Sequence, residues 1–256
     1  MPPWTPSFGM FHSWLDQESL TTITVDQAAT AGIGRDHPVS VVVLFELRAP
    51  DQGGLVSAEE RPAIFALEDA IERELAEGGE PWLVGWRTER GSRYLFFYLP
   101  GDAEDVRLPR DWVGGYETRY AATNDPDWKH YRDNLAPTPF QALLIASHAQ
   151  VQALSKLGDD PSAERTVDHT VLLPDPASAS AGADALRRAG FTVVETAGPR
   201  VACTRVHDLE IRTLESVMSD ALDAAEQHGG TYDGWGAAVA PGSGPPAKRS
   251  RRLFRR

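Results

Sequence analysis

Cysteine is almost missing from this chain: among 256 residues there is only Cys203. A lone cysteine closes no intramolecular disulfide and builds neither a zinc knuckle nor a dithiol pair, so a reducing compartment is expected. Long apolar runs are missing too. No stretch approaches the roughly 20 apolar residues that span a bilayer, and the opening MPPWTPSFGMFHSWLDQ has neither a basic leader nor a continuous apolar segment. The expectation is a cytoplasmic protein without a membrane span. Positive charge is scarce as well, with 25 Lys and Arg against 37 Asp and Glu and a net charge of −12. Such a surface repels phosphates and anionic lipids, and suits a basic or neutral partner.

Signatures of chemistry are also absent. The histidines at 12, 37, 130, 148, 169, 207 and 228 are scattered, with no HExxH pair for a metal. His148 and His207 are expected to be surface or capping residues. No GxSxG elbow occurs, and nothing beside Cys203 marks an activated thiolate. No catalytic residue, metal or cofactor is therefore expected. A hydrolase or transferase site assembled from distant residues is the enzymatic alternative this leaves.

An apolar fraction of 41% suffices for cores, and the length suggests two modest domains. The β-branched run VSVVVLFELRAP, 39–50, predicts a buried strand that ends at a Pro-Asp-Gln-Gly-Gly turn. After it, Ser57 and Glu60 suggest a capping box, Pro62 places regular helix from about residue 61, and Ile64, Leu67, Ile71 and Leu75 share one face before Gly78. PWLVGWRTERGSRYLFFYLPG predicts a hairpin turning at Glu89–Ser92 with Gly91 in the turn. A weak helix around 103–113 and a strand at YETRYAA complete the order β-α-β-β-α-β.

Residues 124–158 read as a Pro-rich joint and a connecting helix, and the polar DDPSAERTV marks a boundary. The earlier order then recurs. HTVLLP is a strand, Asp175 and Pro176 start a helix that stops at Gly190, and FTVVET and VACTRVHD are strands. A helix with Ile211, Leu214, Met218, Leu222 and Ala225 on one stripe ends at Gly229, and TYDGWGAAVA is the last strand. The expected fold class is α+β: two tandem ferredoxin-like (split βαβ) sandwiches joined by a helical linker. The expected domains are 1–140, a linker at 141–165, a second sandwich at 166–240 and a disordered basic tail at 241–256.

The stretch from His169 to Val239, with ALRRAGF, a long acidic helix and Tyr232-Asp233-Gly234-Trp235-Gly236 in the final strand, resembles the bacterial regulator of ribonuclease activity B family. That resemblance implies a non-enzymatic protein that binds the endoribonuclease RNase E and reduces its activity. The SAEERPAIFALEDAIE helix, the WLVGWRTERGSRYLFFYLP hairpin and Asp125-Pro126-Asp127-Trp128 with Tyr131, Arg132 and Leu135 resemble a second bacterial family, domain of unknown function six-ninety-five. It implies no chemistry.

Several surfaces could serve such a role. In YDGWG no helix follows the glycines, so a phosphate cradle fails. Strict alternation places Trp235, Ala237 and Val239 on the helix side and Tyr232, Gly234, Gly236 and Ala238 on the other, where the glycines admit a second backbone. In the alternative, Trp235 is plain core and the glycines relieve crowding. Glu215, Asp223 and Glu226 form an acidic ridge that could dock an Arg-rich segment, and a solvated helix face would read the same.

Direct RNA binding is the rival. Arg90 to Phe97 fits the third-strand signature of an RNA recognition motif loosely, with Tyr94, Phe96 and Tyr98 as stacking rings or as an interdomain or oligomer surface. The tail adds Lys248, Arg249, Arg251, Arg252, Arg255 and Arg256, which bring a remainder of −18 to the chain's −12. These charges are expected to give weak, unspecific contact with RNA, anionic lipid or the acidic body. Oligomeric state and the role of the first domain are left open by the residues.

Overall fold

In the computed structural model, residues 6–14, 20–31, 36–108 and 113–240 are described. The basic tail and the six cations at 248–256 lie outside them. The chain divides into two compact units, Met1–Ala146 and Ser147–Arg256.

The first unit is a six-stranded antiparallel sheet built from β1 (Phe8–Trp14), β2 (Leu20–Asp26), β3 (Val39–Glu46), β4 (Trp82–Glu89), β5 (Ser92–Leu99) and β6 (Thr118–Asn124). Its order is β1-β2-β4-β5-β3-β6. Helix α1 (Arg61–Leu75) lies against one face. Its Ile64, Leu67, Ile71 and Leu75 join Val39, Val41, Val43, Phe45, Leu95, Phe97 and Leu99 in one core. Alternation along β3 and β5 supplies the strand side of that core and the 3.6-residue period supplies the helix side. The β4–β5 turn is Arg90-Gly91, both at positive φ (48° and 79°), as a tight two-residue hairpin requires.

Three expectations for this unit need correction. The hairpin β1–β2 extends the sheet beyond the expected four strands, through β2 pairing with β4. Where a second helix was expected, only 3₁₀ turns at Ala103–Asp105 and Val113–Gly115 are described. The capping box is half formed. Glu60 N–H donates to Ser57 Oγ (3.2 Å), but the Glu60 carboxylate turns inward and accepts from Arg48 N (2.7 Å), Ala49 N (2.9 Å) and Tyr116 Oη (2.7 Å). Burial alone would raise its pKa; these donors outweigh burial and lower it.

Part of the opposite face of this sheet, around Tyr98, is closed by the chain itself, while Arg119, Ala121 and Thr123 of β6 on that face stay exposed. Asp125 accepts from Tyr98 Oη (2.6 Å) and from the N–H groups of Lys129 and His130 (2.8 Å each), which starts the short helix α2 (Lys129–Asn134). Trp128 stacks on Tyr98 at 3.9 Å and 12° and donates its indole N–H to His37 O (3.1 Å). Held from both sides, it keeps a left-handed backbone (φ 55°) that a bulky residue rarely adopts. Tyr131 and Leu135 are buried behind it.

Helix α3 (Pro139–Lys156) crosses from one unit to the next. The second unit then runs β7 (Arg165–Leu172), α4 (Pro176–Arg188), β8 (Thr192–Ala197), β9 (Arg200–His207), α5 (Ile211–Glu226) and β10 (Thr231–Ala237). This is the expected β-α-β-β-α-β order, with antiparallel strands in the order β10-β7-β9-β8. Asp175 caps α4 by accepting from Ala177 N and Ser178 N (2.8 and 2.9 Å). On α5 the buried stripe is Leu214, Val217, Met218, Ala221, Ala224 and Ala225; Ile211 and Leu222 flank it. The polar segment 159–165 is fastened inside this unit. Arg165 pairs with Asp159 and donates to Asp160 O, while Ala240 N donates to Asp159 Oδ1 (2.7 Å) and Asp160 N to Ala240 O (2.8 Å).

Candidate functional site

The YDGWG strand is an edge strand, since β10 pairs only with β7. Its register shifts between Tyr232 and Gly234, so Asp233 bulges and strict alternation fails. Tyr232 faces Val171, Trp235 faces His169 and Ala237 faces Val167, three positions on the buried side of β7. The sequence reading that placed Tyr232 beside the glycines is therefore wrong: one extra residue returns it to the side of Trp235. Tyr232 is buried. Trp235 is half-buried and donates its indole N–H to Ser147 Oγ (2.9 Å) on α3, while Gln150 Nε2 reaches Trp235 O (3.5 Å).

Gly234 and Gly236 fall opposite Thr170 and Asp168, on the face away from the core. A methyl group built on either would meet nothing within 4 Å. The glycines thus relieve no crowding among the described residues. Gly234 has a conformational reason to be glycine, a φ of 142° beside the bulge; Gly236 has none of that kind. Around them, Thr166 and Asp168 are exposed, and Val206 on the same face is 64% exposed. The result is a shallow strip of small side chains along an edge strand.

The acidic ridge is narrower than the sequence suggests. Asp223 and Glu226 are exposed, but Glu215 is drawn against α3, with its carboxylate 3.4 Å from His148 Nε2 and its side chain 21% exposed. Asp223 instead shares a hollow of about 290 Å³ with Asp220, Ala185, Arg188 and Gln227. Asp220 is bonded there to Arg205 (2.7 Å).

The aromatic platform read for RNA loses two of its three rings to the interior. Phe96 is 3% and Tyr98 0% exposed, Tyr98 being sealed beneath Trp128, so neither can stack a base or face a second copy. Tyr94 is half-buried with Arg87 over its ring at 4.6 Å. Arg93, in the same signature, is buried against Glu68 (2.5 Å) and Thr88 (2.8 Å).

The sequence reading also missed a buried polar chain. His169 and His207, together with Tyr232, are inside the second unit. His169 Nδ1 lies 2.8 Å from Tyr232 Oη and its Nε2 lies 3.2 Å from His207 Nε2, while His207 Nδ1 meets Asp208 O. His207 is thus no surface residue, and neither is His148, 7% exposed. Burial, then His207 and Arg205, lowers the His169 pKa from 6.5 to about 3. Burial raises the Tyr232 pKa and brings the Cys203 thiol up to about 12, so Cys203 is no thiolate. Sequence could have hinted at the pair only through pairing of β7 with β9, which no local pattern specifies.

Among the described residues, no group of three or more His, Cys, Asp or Glu could hold a metal, and no helix is long and apolar enough to cross a membrane. No curated protein matches the chain. Family models do match it in two segments. One, covering residues 145–237, is described as regulator of ribonuclease activity B, and the other, covering 10–136, as a family of unknown function (DUF695). The first match begins on α3 just before Ser147 and stops where β10 stops, so it includes the helix turn that holds Trp235. The chain is thus similar to the regulator of ribonuclease activity B family over residues 145–237 and to the DUF695 family over residues 10–136.

Proposed function

We propose that this protein is a non-enzymatic, cytoplasmic regulator that binds an endoribonuclease of the RNase E type and restrains it by protein contact. The second unit, read as a ferredoxin-like sandwich, is the binding domain. The observation that carries the reading is the edge strand itself: within a segment matching a ribonuclease-regulator family, Gly234 and Gly236 keep a strip of sheet bare although none of the described residues comes within 4 Å of the methyl group either could carry. An extended segment of the enzyme can pair in the sheet plane with the free edge of β10, main-chain hydrogen bonds giving affinity, while its side chains reach over the bare strip. Asp223 and Glu226, on the helix side of the sheet, supply a negative surface for a basic stretch of the enzyme outside that segment, which favours encounter and orientation. RNA or scaffold partners that use the same segment are then displaced by competition. Burial of Phe96 and Tyr98 removes the aromatic basis of the RNA-binding alternative.

The test is a binding titration and a cleavage assay with an RNase E-type enzyme, comparing wild type, Gly236→Leu and Asp223→Lys/Glu226→Lys. Gly236→Leu is expected to weaken binding about tenfold or more, roughly 1.4 kcal/mol, with the fold unchanged by circular dichroism and inhibition lost in parallel. The double reversal is expected to weaken binding mainly through association rate, and more at low salt. Binding untouched by both variants, or no binding to the enzyme at all, overturns the reading.

A further inference from the structure

The hydrogen bonds of the buried chain admit a single proton arrangement in the neutral state. Asp208 O is a carbonyl and can only accept, so His207 Nδ1 carries a hydrogen and its Nε2 is bare. His169 must then donate Nε2–H to His207 and present a bare Nδ1, which accepts from the Tyr232 hydroxyl. Among the described residues, that hydroxyl has His169 as its one hydrogen-bond partner.

A proton can join the closed chain only if Tyr232 turns from donor to acceptor. Placed on His207 it sets two N–H groups against each other at 3.2 Å unless His169 moves its own hydrogen to Nδ1, and a hydrogen on Nδ1 forces the Tyr232 hydroxyl hydrogen to turn away into the dry core without a partner. The charged groups facing the pair add to the barrier, because Arg205 acts on both rings and Arg165 on His207, with Asp208 opposing them at His207 alone. Cys203, the cross-strand partner of His169, stays a neutral thiol, and Phe191 meets the His169 ring edge-on at 5.3 Å.

The lid on His169 is Tyr232, and Tyr232 belongs to an edge strand held by one neighbour. If β10 lifts, His169 Nδ1 meets water and can be protonated while its Nε2–H still donates to His207. We propose that the Tyr232–His169 contact is an acid-sensitive latch: β10 is held down while His169 is neutral, and release of the YDGWG strand is coupled to uptake of one proton by His169. The sign follows from linkage. The closed-state pKa of His169 is depressed to about 3 against 6.5 when solvated, so the latch holds fully above 6.5 and weakens as pH falls from there toward 3. One proton gives an opening constant that rises about tenfold per pH unit in that window. The latch stands apart from the partner reading; only its effect on partner binding depends on it.

Native-state amide exchange on the full chain tests this, with the intrinsic pH dependence of exchange divided out. The opening constants of the Tyr232 and Trp235 amides are expected to rise about tenfold per unit between pH 6 and 4.5, while those of β8, the other edge strand, keep a flatter profile. Imidazole nitrogen spectra at pH 7.5 are expected to show His207 as the Nδ1–H tautomer and His169 as Nε2–H. Tyr232→Phe, close to isosteric, removes the hydroxyl and is expected to raise the closed-state pKa of His169 and shallow the slope; His169→Gln is expected to abolish it. If His169→Gln fails to fold, the wild-type slope and tautomers still decide. A pH-independent opening of β10, or a His169 that titrates near 6.5 with β10 closed, overturns the proposal.

Discussion

The two units treat the same piece of architecture in opposite ways. The strands β4-β5-β3-β6 of the first and β8-β9-β7-β10 of the second have the same connectivity, each with helix on one face. In the first unit the part of the other face around β5 is covered by Asp125–Leu135, with Trp128 stacked on Tyr98, and its edge strand β6 stays exposed there at Arg119, Ala121 and Thr123. In the second, Thr166, Asp168, Gly234 and Gly236 on that face carry no such cover from the described residues of their own unit. A sheet covered by its own chain gains stability and gives up a surface; a bare one keeps a surface for contact. Under the proposed function, that contrast gives the first unit a scaffold part and the second a contact part.

Removing the cover gives the largest expected effect. Trp128→Ala deletes the stacked indole and its hydrogen bond to His37, and is expected to cost about 3–5 kcal/mol, read as a lower urea midpoint for the first unit with the second unchanged. A smaller effect tests the anchor of the same segment. Asp125→Asn weakens the bonds from Tyr98, Lys129 and His130 and is expected to cost about 1–3 kcal/mol at pH 7. Burial tends to raise the Asp125 pKa, but those bonds prevail and lower it below 3.8. The stability it contributes is therefore complete above pH 3.8 and lost as pH falls below that, a dependence that Asp125→Asn should remove from an acid-unfolding curve. The smallest effect separates the two glycines. Gly236→Ala is expected to change stability by less than about 0.5 kcal/mol, and Gly234→Ala to cost about 1–2 kcal/mol because its φ is positive; equal costs would mean the strip has a structural role within the chain.

Most of the elements could be read from local pattern. The hairpin at Arg90-Gly91, the helix starting at Arg61 after Pro62 and the Asp175 cap each depend on residues within a few positions of one another. The second strand of the β1–β2 hairpin leaves a local trace in LTTITVD, whose β-branched residues suit a strand. Two kinds of information were not local. The bulge at Asp233 depends on pairing with β7, so strict alternation put Tyr232 on the wrong face. The His169–His207 contact joins residues 38 positions apart, and neither histidine carries a mark of burial in its own neighbourhood. Tyr98 failed differently: an aromatic on a sheet face reads as a surface ring until Asp125–Trp128 is known to fold back over it.

The bulge at Asp233 also decides how β10 can err during folding. Slipping the strand by one residue would drive the Asp233 carboxylate toward the site where the Tyr232 ring covers His169, leaving a charge in a dry core next to bare imidazole nitrogen. Near-miss pairings of this strand are thus penalised heavily, and partial ones gain little. The last strand of the unit therefore docks in one register or stays undocked, and the irregularity works as a proofreading step for the whole sheet.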